Sequence, residues 1–459
     1  MTKNISIHNK SIYDFIIIIL ITIILPNITF FIASSISGAN RSLINIDYFI
    51  PFLLLSINLH KTASLLFIIF FIIDGIAFSL NFFPFIKAGD LLYLSSFIFS
   101  GQTFYLVAFY VAMLILIFKV ILILKTAKKI NKKHLIILVS TIIITNIIIS
   151  LLSRKNTNHS YISSYSYYLY KNKNSTFFES NSDKTLLKKS PYPNATAPWF
   201  SKINNQQKTN NRLLLIVVES WGSMRDNKIK KAILQKLYQQ SSLFSFLETG
   251  SSKMLGATVA GEIRELCGSQ PQTLNMRLVN KSEFKNCLPN ILANQGFETY
   301  ALHVAPSDMY DRDFWYPLIG FQYPIFFENR KWPRLCHSFG GACDIDATNI
   351  ILNAFSNTEK KVFFHWMTLN THANYDNRDI FSNRINCEEL GLMTNSDTCN
   401  YVKLHAQFFD NLAKILSSPN MKNVDVIIAG DHPPPMINMI ESVENFDLEY
   451  ISWVHLKTK

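Results

Sequence analysis

Acidic residues are scarce where the chain begins: residues 1–155 hold 4 Asp and Glu against 13 Lys and Arg, and no cysteine. The rest of the chain holds 28 against 31, so most of the net charge of +12 belongs to the first third. That placement speaks against a nucleic-acid surface and suits the flanks of membrane helices. No Cys-x-x-Cys pair occurs, which removes the usual signature of a cysteine metal site. Only 17% of the 459 residues are charged and 49% are hydrophobic. The apolar content excludes a disordered chain, and the length excludes a small disulfide scaffold.

What the first third has is Ile, Leu and Phe in long runs, which predict spans near 14–34, 46–60, 62–83, 103–124 and 134–152. A span needs about 20 apolar residues, so 46–60 is short and the other four are adequate. Lys125, Lys128, Lys129, Lys132 and Lys133 separate the fourth and fifth runs and place that loop in the cytoplasm. Five spans then put the N-terminus, with Lys3 and Lys10, inside, along with His60–Lys61, and everything after Leu152 outside. The first run has no cleavage site and reads as an anchor. Asp74 is expected to face the bundle and Lys119 to snorkel toward the interface. No inverted repeat relates the runs, which weighs against a transporter.

Residues 153–211 form a linker in which Ser, Asn, Tyr and Lys replace the apolar runs and Pro191, Pro193 and Pro198 break any long helix. Its tyrosines suit the membrane–water boundary. Cys267, Cys287, Cys336, Cys343, Cys387 and Cys399 all follow it. An even number in an exported domain points to disulfides. Sequential pairing is the simplest of fifteen possibilities.

Residues 212–459 alternate short apolar runs with amphipathic stretches, the pattern of an α/β domain. Four strands are expected: Leu213–Val218, Thr299–Val304, Val362–Leu369 and Val424–Ala429. Ligands of open α/β sheets bind beyond the carboxyl ends of the strands. There this chain places Glu219, the arginine-bearing segment Pro306–Arg312, Asn370-Thr371-His372, and Gly430-Asp431-His432. Glu219, Asp431 and His432 offer two oxygen ligands and one nitrogen, a mix that suits Zn²⁺ or Mn²⁺. The plainer readings are a helix-start acid and a turn aspartate beside a surface histidine. Against the second, Pro433-Pro434-Pro435 would fix both side chains. Gly256 to Arg264 looks like a glycine turn entering a helix at Thr258, whose hydroxyl is either a nucleophile or an ordinary N-cap. Glu262 misses the capping-box position and calls for a basic partner.

Together these residues resemble the membrane-anchored sulfatase-like transferases of the alkaline phosphatase superfamily, above all the lipoteichoic acid synthase type of phosphoglycerol transferase. The motifs are "IVVESWGS" with Glu219, "GATVAGE" with Thr258, and "IIAGDHPPP" with Asp431 and His432. The resemblance implies an N-terminal α-helical membrane bundle of about five spans and an α/β alkaline-phosphatase/sulfatase-like catalytic domain. Expected boundaries are 1–152, 153–211 and 212–459. It implies Thr258 as the nucleophile, with Glu219, Thr258, Asp431 and His432 holding one divalent ion, Mn or Zn, with Mg also possible. Tyr310 and Arg312 of "MYDRDFW", and His372 after "TLN", would bind substrate. The chain departs from the type at Ala257, often Lys there, and at Val259 and Ala260, polar there. The cysteines are more usual in phosphoethanolamine transferases, yet their "GETAR" and "SDHGE" segments are missing. The sulfatase Cys/Ser-x-Pro-x-Arg signature is also absent, since Cys287-Leu288-Pro289-Asn290-Ile291 lacks the arginine.

The expected activity is transfer of a phospholipid headgroup phosphate ester, glycerol phosphate or phosphoethanolamine, to a cell-envelope glycan or lipid through a phosphothreonine. The alternatives are a metal-dependent hydrolase and an inactive membrane-anchored binding protein. Expected partners are a phospholipid donor, an envelope acceptor and the membrane, with no nucleic acid. The expected place is the bacterial inner membrane, with the catalytic domain periplasmic.

Overall fold

The computed structural model describes residues 12–83, 86–97, 103–126, 132–152, 161–171, 185–382 and 384–459. Lys3, Lys10, Lys128 and Lys129 lie outside the described residues, as do 153–160 and 172–184 of the expected linker. Two compact units form: Met1–Pro84 with Thr103–Phe178, and Phe85–Gln102 with Glu179–Lys459. This division differs from the expected boundaries in two ways. Residues 86–97 interrupt the apolar third yet pack with the second unit. The later linker also belongs there, where Leu187–Lys189 pairs with Ser269–Pro271 and Trp199 is buried.

Along the apolar third the helices are α1 (Ile12–Ser37), α2 (Phe49–Leu55), α3 (His60–Ser79), α4 (Ala88–Ser95), α5 (Thr103–Thr126) and α6 (Lys132–Leu152). Among the described residues α1, α3 and the Leu106–Thr126 part of α5 are long and apolar enough to cross a membrane. α6 adds a fourth apolar helix of 21 residues. Segment 46–60 gives α2, whose seven residues rise only about 10 Å. Asn58 turns left-handed at φ 64° and Leu59 N–H closes on Leu54 O, so α2 ends before α3 begins.

Polar groups gather inside this unit. Arg41 donates from Nε and Nη2 to Asp74 at 3.2 and 2.7 Å, and Tyr48 OH donates to the same carboxylate at 3.1 Å. Asp74 therefore faces the bundle as expected. Lys119 does not snorkel: it is 2% exposed, and its Nζ donates to Pro26 O at 3.0 Å beside the ring of Phe71. The carbonyl and the ring face supply locally what the interface would have supplied.

The second unit is built on one mixed sheet. Its strands are β1 (Arg212–Val218), β2 (Gly222–Met224), β3 (Phe244–Lys253), β4 (Glu298–His303), β5 (Tyr323–Ile325), β6 (Val362–Met367), β7 (Asp425–Gly430) and β8 (Phe446–Thr458). The order is β2-β8-β7-β1-β6-β4-β5, with β3 also on β8. β7, β1, β6, β4 and β5 run parallel, and β8 runs against β7. β1 is central and buried on both faces. Leu213, Leu215 and Val217 join one core, Leu214, Ile216 and Val218 the other, which is why the strand reads as an unbroken apolar run. Three helices matter for the site: α7 (Thr258–Cys267), α8 (Arg312–Ile319) and α9 (Asp397–Leu416). The cysteines pair as 267–287, 336–343 and 387–399.

Candidate metal centre

The register of the parallel strands brings the chemistry together. Gly430 pairs with Val218, and Met367 with both Val217 and His303. Glu219, Thr368 to His372, and Asp431-His432 therefore leave the sheet at one edge, with His303 in the same row. Thr258 enters from α7. Its backbone neighbour Ala257 is the N-cap and offers no side-chain cap, so the Thr258 hydroxyl is not a capping group. Thr258 Oγ1 instead lies 3.3 Å from His432 Nε2 and 3.5 Å from Glu219 Oε2. His432 Nε2 is 3.4 Å from Glu219 Oε1 and 3.3 Å from Asp431 Oδ2. His372 Nε2 approaches Glu219 Oε1 to 3.9 Å.

Backbone contacts set this spacing. A Cβ on Gly261 would sit 2.7 Å from both Cα and Cβ of Asp431, so α7 packs against the ligand turn with no side chain between. A Cβ on Gly430 would lie 1.9 Å from Trp221 O. Ser220 holds a left-handed φ of 57°, costing about 1–2 kcal/mol, and donates its N–H to Asp431 Oδ1 at 2.7 Å. Arg264, on the second turn of α7 and 1% exposed, donates from Nη1 to Asp431 O at 3.1 Å and from Nη2 to Gly430 O. Thr368 Oγ1 accepts Glu219 N–H at 3.0 Å, and Thr371 Oγ1 donates to Glu219 O at 2.6 Å. Ser220, Arg264, Thr368, Thr371 and His303 carry no role in the sequence reading.

The donor set fits a divalent cation. One ligand atom each from Glu219, Asp431 and His432 lies within 4.8 Å of the others, and all three residues are buried. Asp431 Oδ2 is buried and makes no hydrogen bond. His432 Nδ1 pairs with Pro433 O at 2.8 Å, which turns Nε2 toward the cluster. Burial and the charge of Glu219 push the Asp431 carboxyl up. Burial alone would lower His432, yet Asp431 and Glu219 outweigh it and raise the imidazole. Burial would raise Glu219, and His372 and His432 outweigh it and hold the carboxyl low. The cluster thus draws in protons, the positive charge that a metal would replace.

The expected phosphate binders lie alongside. Arg312 is buried, its Nε and Nη2 donating to Glu262 Oε2 at 3.1 and 2.7 Å and its Nη1 to Met309 O at 3.0 Å. Three of its five N–H groups are thereby bonded, leaving two. Glu262 finds its basic partner in Arg312, fifty residues on, and also accepts from Tyr316 OH. Burial, followed by the charge of Glu219, pushes the Tyr310 phenol up to about 12.

Acids, imidazoles and a helix-borne hydroxyl thus converge at the carboxyl edge of an α/β sheet. The chain belongs to the sulfatase family, whose model, described as Sulfatase, matches residues 212–445. No curated protein matches it. Among solved structures it is similar to the lipoteichoic acid synthase LtaP from Listeria monocytogenes, at 14% identity over 54% of this chain and 65% of that one, TM-score 0.42. It thus spans just under two thirds of the LtaP chain. It is also similar to the phosphoglycerol transferase GacH from Streptococcus pyogenes in complex with sn-glycerol-1-phosphate, at 16% over 59% and 78%, TM-score 0.40. A third is the C-terminal periplasmic domain of EcEptC from Escherichia coli in complex with zinc, at 13% over 55% and 74%, TM-score 0.37.

Proposed function

We propose that the protein transfers a phospholipid headgroup phosphate ester, glycerol phosphate or phosphoethanolamine, to an envelope glycan or lipid through a phosphothreonine at Thr258. The observation that carries this reading is the Thr258 hydroxyl, 3.3 Å from His432 Nε2 and 3.5 Å from Glu219 Oε2, at the start of a helix it does not cap. Glu219, Thr258, Asp431 and His432 would hold the cation, Mn or Zn with Mg as a third choice, which when bound lowers the pKa of the hydroxyl and neutralises phosphoryl charge. Thr258 Oγ1 gives its proton to solvent and bonds to phosphorus, and the bond from phosphorus to the diacylglycerol oxygen breaks. His372 supplies a proton to that leaving oxygen. Arg312 binds phosphate oxygens, and Tyr310 flanks them. An acceptor hydroxyl, its proton passing to His372, then displaces Thr258 Oγ1 from phosphorus.

Pairing inside the membrane-helix unit supports the expected topology. Ile44–Asn45 pairs in parallel with Ile162–Ser163, so the chain is on one side after α1 and on the same side after α6. The lysines between α5 and α6 mark the cytoplasm. Residues 86–97 and everything from 161 onward then lie outside, where three disulfides persist. The proposed place is the bacterial cytoplasmic membrane, with the catalytic unit periplasmic.

One experiment addresses both readings: non-reducing peptide mass mapping of the full chain after incubation with total membrane lipid. It should find three linked cysteine pairs and a phosphoester adduct on Thr258 whose mass names the donor. The second reading, a hydrolase with water as acceptor, keeps the adduct but releases headgroup without any glycan. An unmodified Thr258 beside consumed lipid excludes the covalent route, and six free thiols exclude the exported placement.

A further inference from the structure

The loop that carries Tyr310 and Arg312 is strained. Tyr310 and Asp311 are consecutive non-glycine residues in the left-handed region, at φ 56° and 52°, which a Cβ disfavours. Two such residues persist only where their surroundings fix them. Part of the fixing comes from α8, where Trp315 Nε1 donates to Tyr310 O at 3.1 Å. Part comes from Arg277, whose Nε pairs with Asp311 Oδ1 at 2.8 Å. The rest comes from α4, which in sequence lies between two membrane helices. Tyr93 OH donates to Asp311 Oδ2 at 3.0 Å, and the ring of Phe97 packs on that of Tyr310 at 5.9 Å. α4 is itself fixed: the buried Asp90 carboxylate accepts from Thr273 Oγ1 and Leu274 N, both at 2.9 Å, and Tyr93 and Leu94 pack on the core beneath β1.

We propose that α4 and Phe97 form a positioning element of the phosphate-binding loop, with Tyr93 and Phe97 holding Tyr310 and Asp311 in their left-handed conformation so that Tyr310 and Arg312 stay beside the metal centre. The catalytic unit is then discontinuous in sequence, and a segment carried between membrane helices completes its donor site. The assignment to a donor site rests on the phosphotransfer reading; the holding of the loop does not. Tyr93 and Phe97 act through Tyr310 and Asp311 and touch no metal ligand, so their loss acts on donor binding rather than on the chemical step.

The test uses the full chain in lipid nanodiscs, with Tyr93→Phe to remove the hydroxyl, Phe97→Ala to remove the wall, and Phe97→Tyr as its conservative partner. Gly89→Ala, whose Cβ meets nothing within 4 Å, is the control on the same helix. Loss of one hydrogen bond to a carboxylate should speed amide hydrogen exchange at residues 309–313 about tenfold in Tyr93→Phe. KM for the phospholipid should rise about tenfold with kcat little changed, Phe97→Ala should behave alike, and Phe97→Tyr should restore both readouts. Parental exchange rates in Tyr93→Phe and Phe97→Ala overturn the proposal, as does faster exchange with unaltered KM. Should the parent chain turn over no phospholipid, the functional reading fails while the exchange measurement still decides whether α4 holds the loop.

Discussion

In the membrane-helix unit, Arg41 and Asp74 meet at 2.7 Å, and Tyr48, Asn45, Asn27 and the Ser42 carbonyl bond the two charges further. In the catalytic unit, Glu219, Thr258, Asp431 and His432 also come together, but their mutual contacts run from 3.3 to 3.5 Å and Asp431 Oδ2 has no hydrogen bond. Both clusters are buried and both carry acids. A buried polar network that is fully bonded fixes a conformation, whereas one held just short of bonding distance is shaped for something else to sit inside it. The distinction lies in unmet bonding rather than in residue type, which is why composition alone does not separate the two.

The largest test of that contrast is metal affinity. Asp431→Asn should weaken divalent-ion binding by more than about a hundredfold, read by calorimetric titration of the metal-stripped chain, with little change in melting of the apo form. An unaltered affinity would break the comparison. Next comes Asp74→Ala, which leaves Arg41 buried and unpaired. It should destabilise the membrane-helix unit by about 3–5 kcal/mol while metal stoichiometry stays at the parental value. A stable Asp74→Ala chain that no longer binds metal would reverse the roles of the two clusters.

A third test sharpens the contrast through pH. His303 is buried beside the centre, and burial first, then the charge of Arg312, lowers its pKa to about 3. Its unfolded value is about 6.5, so below that pH the unfolded chain binds a proton that the folded chain refuses. The catalytic unit should therefore lose about 1.4 kcal/mol for each pH unit between 6.5 and 3, and lose nothing further from this group above or below that window. The melting midpoint of the catalytic unit against pH measures this, and His303→Asn should flatten the slope.

The parallel half of the sheet was legible because each of its main strands is a short apolar run with a polar group at its carboxyl end. Expected and observed limits of β1, β4, β6 and β7 differ by two residues at most. β8 escaped notice although it is the longest strand. Its pairing with β2 shifts register between Asp447 and Ile451, and the alternation that marks a half-buried strand changes phase there. β3 is polar over Glu248–Lys253, and no periodicity marks it. At the site, the acids, imidazole and hydroxyl that the structure gathers stood out by type and position, while Arg264, Thr368 and Thr371 act on backbone atoms of their neighbours. Such roles depend on which carbonyl or amide lies opposite, information that a linear pattern does not hold. The membership of 86–97 in the catalytic unit was hidden for a similar reason, since Asp90 and Tyr93 find partners almost two hundred residues away or more.

Gly261 has a consequence for anyone redesigning this centre. Because main chain meets main chain where α7 passes Asp431, the gap between the Thr258 hydroxyl and the Asp431-His432 turn is fixed by two polypeptide stretches in direct touch, clamped by Arg264. Lengthening or trimming side chains around the rim alters what may approach, but not that gap; only a bulkier residue at 261 would pry the two stretches apart.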